Sequence, residues 1–168
     1  MLRAIRRYIG VEYSMRNVYV RERPDGSLYG KTDCLRLLLM ACRDVGYLPP
    51  EFNMNMKRPR EANGRPPSPS DTVWQMLETN CEKIDKEAAM PGDVLLMQFD
   101  DVDPRLNEIH HVAMKTSNDP FPYGMMIHAL NSEADGSGRV QEVTINQLSF
   151  GRIKSAYSIK GIVNDLCQ

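Results

Sequence analysis

The chain has 168 residues, 42% of them hydrophobic, which is enough for one self-sufficient core and short for two domains, so residues 1–168 are expected to form a single domain. With 21 Lys and Arg against 22 Asp and Glu, the formal net charge of -1 gives no electrostatic case for nucleic acid or an anionic membrane as the main partner. Four scattered cysteines, Cys34, Cys42, Cys81 and Cys167, include no CxxC pair and read as reduced thiols, which sets aside a disulfide scaffold.

At the start of the chain Leu2, Ile5 and Ile9 share one helical face and Gly10 is a stop signal, so a short amphipathic helix is expected. Arg3, Arg6 and Arg7 interrupt its apolar residues. No signal-peptide core is therefore expected there, and no membrane-spanning run occurs further on; the protein is expected to be made in a cytoplasm without an export signal. Residues 10–30 alternate and turn, with Pro24-Asp25-Gly26 as the clearest turn signal. The apolar run that follows, Leu35 to Val45, leaves only a thin polar stripe of Arg36, Arg43 and Asp44, as a helix surrounded by protein would. Residues 49–70 are proline-rich and irregular; with Phe52, Met54 and Met56 among polar residues, they are a candidate partner-binding loop. Ser70 or Asp71 can cap another helix in which Val73, Met76, Leu77, Cys81 and Ile84 repeat at helical spacing.

From Pro91 the pattern changes. "PGDVLLMQF", "HHVAMK", "GMMIHAL" and "GRVQEVTI" are short strand-like runs between Asp, Asn, Pro and Gly clusters, which predicts an antiparallel meander. Helices first and strands second is the α+β order.

The chemistry concentrates at Cys34. Thr32 and Asp33 are both good N-cap residues, so Cys34 falls in the first turn of the apolar helix, whose stop is Gly46. A thiol in that turn faces unpaired backbone N–H groups and the positive end of the helix dipole, which favour a thiolate and can hold an oxyanion. The bland alternative is that Cys34 packs as a small apolar residue, as Cys42 does one turn deeper. A cysteine nucleophile needs a base, and the three histidines, His110, His111 and His128, all fall in two of the strand-like runs. In the first of these, period-two alternation sets His111 opposite Val112 and Met114. If the two strands pair, two histidines can lie side by side, one as base and one orienting it. A zinc site of Cys34, His111 and His128 is a rival reading, weakened by the lack of a CxxC or HxxxH pair. The carboxylates of "FDDVDPRLNE" lack the spacing of a calcium loop.

Taken in order, "TDC", the apolar helix, "PGDVLLMQF", "HHVAMK" and "MIHAL" resemble the NlpC/P60 family of cysteine peptidases, whose motifs read D-C-x-G-L, P-G-D-L-hydrophobic, H-V-(G/A)-hydrophobic and (I/M)-H-A. "AIRRYIGVEY" is similar to that family's entry segment, and "FGRIKSAYSI" to the closing segment of its phage tail members. The chain departs in carrying Arg36 where the family has a small residue, and in the long spacer "TSNDPFPYG" between the histidine motifs. The resemblance implies an α+β, papain-like fold with N-terminal helices packed on an antiparallel sheet. It further implies Cys34 as nucleophile, His111 as base, His128 as orienting residue and Tyr13 as a site tyrosine that helps hold the oxyanion. No metal or other cofactor is implied. The implied activity is hydrolysis of the peptide stems of bacterial peptidoglycan, by a protein carried in a phage tail or tail-like particle and bound to its tail proteins. A weak or inactive tail-assembly component and a secreted antibacterial effector remain as alternatives.

Overall fold

The computed structural model describes residues 1–14, 18–50, 77–78, 81–99, 109–130 and 138–159. In chain order the elements are α1 (Leu2–Arg6), β1 (Glu12–Tyr13), β2 (Tyr19–Glu22), β3 (Leu28–Thr32), α2 (Cys34–Asp44), β4 (Glu82–Ile84), a 3-10 turn (Lys86–Ala88), β5 (Val94–Phe99), β6 (Ile109–Lys115), β7 (Met125–Leu130), β8 (Arg139–Thr144), α3 (Gln147–Arg152) and β9 (Ile153–Ser158). The strands form one nine-stranded sheet in the order β2-β3-β1-β8-β7-β6-β5-β9-β4.

This corrects the expected architecture. An α+β, papain-like fold of N-terminal helices on an antiparallel sheet is overturned by a strand-dominated chain in which three strands precede α2 and the sheet is mixed, because β1 runs parallel to β3. The described helices are short, at 5, 11 and 6 residues. The misreading has a local cause. Residues 10–30 read as alternating and turn-rich, with no strand assigned, whereas Pro24-Asp25-Gly26 joins a hairpin in which Tyr19 to Glu22 pair with Leu28 to Lys31. Gly30 permits that pairing: its φ is +129, and a Cβ there would collide with the Tyr19 carbonyl oxygen. The helix expected to reach Ile84 also ends early. Leu77 and Glu78 are helical and the Cys81 N–H bonds the Leu77 carbonyl at 2.9 Å, but Ile84 lies in β4 opposite Ala156. Its earlier part, with most of the proline-rich loop, lies outside the described residues. α1 stops at Arg6, and Ile9 is 46% exposed.

The meander from β5 to β8 is present, each strand antiparallel to the next. β9 returns to the free side of β5. Alternation then sorts the sheet into two faces. Val94, Leu96, Val112, Met114, Ile127, Ala129 and Val140 join the core cluster that contains α2. Leu95, Met97, Ala113, Met126, Ile153 and Ala156 form a second cluster. α2 is held at both ends: the Asp33 side chain accepts the Arg36 N–H at 2.7 Å, and Gly46, at φ +78, closes a Schellman turn with Tyr47 N–H bonded to Cys42 O at 2.9 Å. Its buried run from Leu37 to Cys42 fixes its place on the sheet, each leucine contributing about 2 kcal/mol. Among the described residues no helix is long and apolar enough to cross a membrane.

Candidate active site

Cys34 is the first residue of α2 and is partly buried, lining an apolar cleft with Ile5, Leu37, Leu38, Val112 and Ile127. Its sulfur is approached by the backbone N–H groups of Val112, Leu35 and Cys34 itself. The Val112 contact locates the thiol. Along β6 the Lys115 N–H bonds Asp93 on the β5 side and the Thr116 N–H bonds Met125 on the β7 side, so by alternation the Val112 N–H points toward β7. β6 and β7 pair from Lys115↔Met126 up to Ala113↔His128 and no further, although the backbone of both strands continues. The sheet opens there into a wedge, and the cysteine sulfur takes the amide that β7 has released.

His111 is the next residue along β6, bordering the same wedge. Its side chain shares a face with Ala113 and Met97, opposite Val112 and Met114, as period-two alternation requires. His128, directly across from Ala113, projects from that face too. The two rings meet edge to face with centroids 5.2 Å apart, and His111 Nε2 lies 3.1 Å from His128 Nδ1. Each is 5% exposed. The pair therefore shares one proton between two facing nitrogens. Cys34 packs with Val112 in the cluster of α2, on the other face of β6, so His111 can serve as its base only by reaching it across the wedge. The side chain of His110 lies outside the described residues.

Tyr13, in β1, packs partly buried against the α2 cluster. Burial first, and then the charges of Cys34 and Asp33, push its phenol up to about 12, so the hydroxyl stays protonated beside the cysteine. Cys34 itself departs from the expectation of a helix-start thiolate. Burial raises its thiol to about 11, outweighing the three backbone N–H groups that favour the anion. Burial also lowers His111 to about 3, assisted by His128, and His128 to about 4. The resting site thus holds a neutral thiol and neutral imidazoles. Charge separation must await a substrate that can accept it.

Arg36 finds a local explanation. Its guanidinium folds back in an ion pair with the Asp33 carboxylate, the same group that caps its own backbone N–H. The residue that stands where the family has a small one thus braces the helix start. Among the described residues no group of three His, Cys, Asp or Glu is arranged to hold a metal ion, and the zinc reading gains no support.

Two neighbours of these side chains escaped sequence reasoning. The Val112 amide could not have been found, because it depends on where two strands part. Gln141 could have been noticed: in "GRVQEVTI" it alternates with Val140 and falls on the face of Val143. Only the register adds that it lies directly opposite His128. No protein-family model matches this chain, and no curated protein or solved structure does either, so the functional reading rests on the residues themselves.

Proposed function

We propose that this protein is a cysteine peptidase of the NlpC/P60 type, hydrolysing peptide stems of bacterial peptidoglycan. The observation that carries the reading is the placement of the Cys34 sulfur on the Val112 amide, one residue from an imidazole that is itself paired with His128. The order of the sequence motifs adds support. Delivery by a phage tail or tail-like particle, with binding to its tail proteins, rests on the likeness of residues 150–159 to the closing segment of tail members.

In this mechanism His111 Nδ1 takes the thiol proton as the sulfur attacks the stem carbonyl carbon. The N–H groups at the start of α2 and the Tyr13 hydroxyl hold the oxyanion. Protonated His111 then gives its proton to the leaving amine, and water, deprotonated by the same ring, releases the acyl group from sulfur. The neutral resting pair means that the proton moves with the attack rather than before it. The family pattern points to the D-glutamyl to diamino acid bond. That same neutrality favours one second reading, a tail component that has kept the site and lost efficient chemistry.

Mass-spectrometric digestion of purified peptidoglycan stems separates the two readings. The wild-type protein is expected to release fragments cut at a single stem bond, and Cys34→Ala none. Equal cleavage by both, or by neither, overturns the peptidase. Co-purification with tail particles tests the delivery proposal separately, and a protein never found with them refutes it.

A further inference from the structure

The His111–His128 contact leaves one question of chemistry open, namely which nitrogen carries the shared proton. His111 Nδ1 can act as a base only if His111 donates from Nε2 and His128 accepts at Nδ1. His128 must then carry its own proton on Nε2. That atom is buried, in a side chain 5% exposed, and has no hydrogen-bond partner among the described residues. A buried ring N–H without an acceptor is unfavourable, so on the His128 side the productive form lacks the acceptor it needs. With the N–H exchanged to Nδ1, His128 would donate to His111 Nε2 and leave His111 Nδ1 protonated, unable to accept from a thiol.

We propose that Gln141 is a positioning residue for this pair, its side-chain carbonyl accepting from His128 Nε2 and thereby fixing the tautomers of both rings. Three observations place it. His128 pairs directly with Gln141 across β7 and β8, and directly opposed residues project from the same face with Cβ atoms about 4.5–5.5 Å apart, within reach of a glutamine amide. The face is confirmed by Val143, two residues on, which packs against the second core cluster. The direction also fits. His128 Nδ1 is aimed at β6, and since the two nitrogens of an imidazole diverge widely, Nε2 is aimed away from β6 toward β8, which lies on the other side of β7. Ala113, completing the cross-strand row, is small enough to leave the ring room to turn. Gln141 is itself partly exposed, so its amide can rotate without repacking the core. It acts through His128 and His111 and touches neither substrate nor sulfur.

The catalytic consequence rests on the proposed peptidase reading, whereas the tautomer does not, and the test uses that difference. Long-range proton–nitrogen correlation spectra of the full-length, nitrogen-15-labelled protein report the tautomer of each histidine without substrate. In the wild type His111 and His128 are both expected as Nε2–H forms. Gln141→Leu is expected to move His128 substantially to the Nδ1–H form and to lower kcat for stem cleavage about 10- to 100-fold at unchanged KM. Gln141→Glu, which keeps an acceptor, is expected to restore the wild-type tautomers. An Nδ1–H His128 in the wild type, or unchanged tautomers in Gln141→Leu, overturns the proposal. Tautomers that follow Gln141 in a protein that cleaves no stem leave the proposal standing and remove the peptidase.

Discussion

Strand β6 carries a buried basic residue near each end, and the two are treated differently by the fold. At its C-terminal end the sheet is fully paired and Lys115, 2% exposed, is surrounded by partners. Its ammonium donates to Ala89 O at 2.7 Å and stands 4.7 Å from the centre of the Phe121 ring; burial lowers its pKa against the opposing pull of Asp119 and Asp93. At the N-terminal end the sheet opens, and His111 meets another histidine whose outer nitrogen has no partner. Satisfied buried polar groups hold structures together. A buried polar group left unsatisfied is a cost to the fold, and here it belongs to the ring that pairs with His111.

The largest expected effect comes from removing the groups in the wedge. Cys34→Ala and His111→Ala should each lower stem cleavage at least about a thousandfold, and the double variant should be scarcely worse, because groups that act in one step do not contribute independently. His128→Gln should be milder, since a neutral amide can still accept from His111 Nε2. Cys34→Ala and His128→Gln should keep thermal midpoints close to wild type, whereas His111→Ala, which leaves a cavity and removes the partner of His128 Nδ1, should have a lower one. If the double variant loses the product of the two single losses, Cys34 and His111 act separately and the wedge is not one site.

The legibility of these two regions in the sequence differs for physical reasons. Local signals were readable: the Asp33 cap, the Gly46 stop, the strands from β5 to β8 and the alternation of His111 against Val112 all depend on residues near one another in the chain. The fold class was not. β1 is two residues long and pairs in parallel with β3, a partnership set by distant chain segments rather than by its own pattern. Likewise Cys34 at a helix start read as a thiolate, because the dipole is visible in sequence and the burial that overrides it is not. The burial of Lys115 at the end of "HHVAMK" was not legible, since the carbonyl that receives it comes from 26 residues away.

Lys115→Met tests the structural end of the strand and should have an intermediate effect. Methionine fills the volume of the lysine stem but leaves the Ala89 carbonyl without its donor, which should lower stability by about 1–3 kcal/mol. Urea midpoints would measure it. Stem cleavage per folded molecule should stay within about twofold of wild type. A large loss of kcat with unchanged stability would make Lys115 part of the chemistry and erase the distinction between the two ends.

The smallest effect is the dependence of stability on acid, and it belongs to the wedge alone. In the unfolded chain histidine takes up a proton near its ordinary value of 6.5, whereas burial holds His128 at about 4 and His111 at about 3 in the folded protein. Between these values the unfolded state binds more protons than the native one, so stability is fully present above pH 6.5 and declines as pH falls. The slope has an upper limit of about 1.4 kcal/mol per pH unit for each histidine. Carboxylates begin to contribute below about pH 5, so urea midpoints from pH 8 to pH 5 isolate the histidines. The wild type and Lys115→Met should share a downward slope toward acid, with a net loss on the order of 1 kcal/mol or more by pH 5. The His111→Gln, His128→Gln double variant should be nearly flat over the same range, because its amides take up no proton in either state. A wild type that is flat from pH 8 to pH 5 would mean that the rings are not held neutral by burial, and the neutral resting site would be overturned.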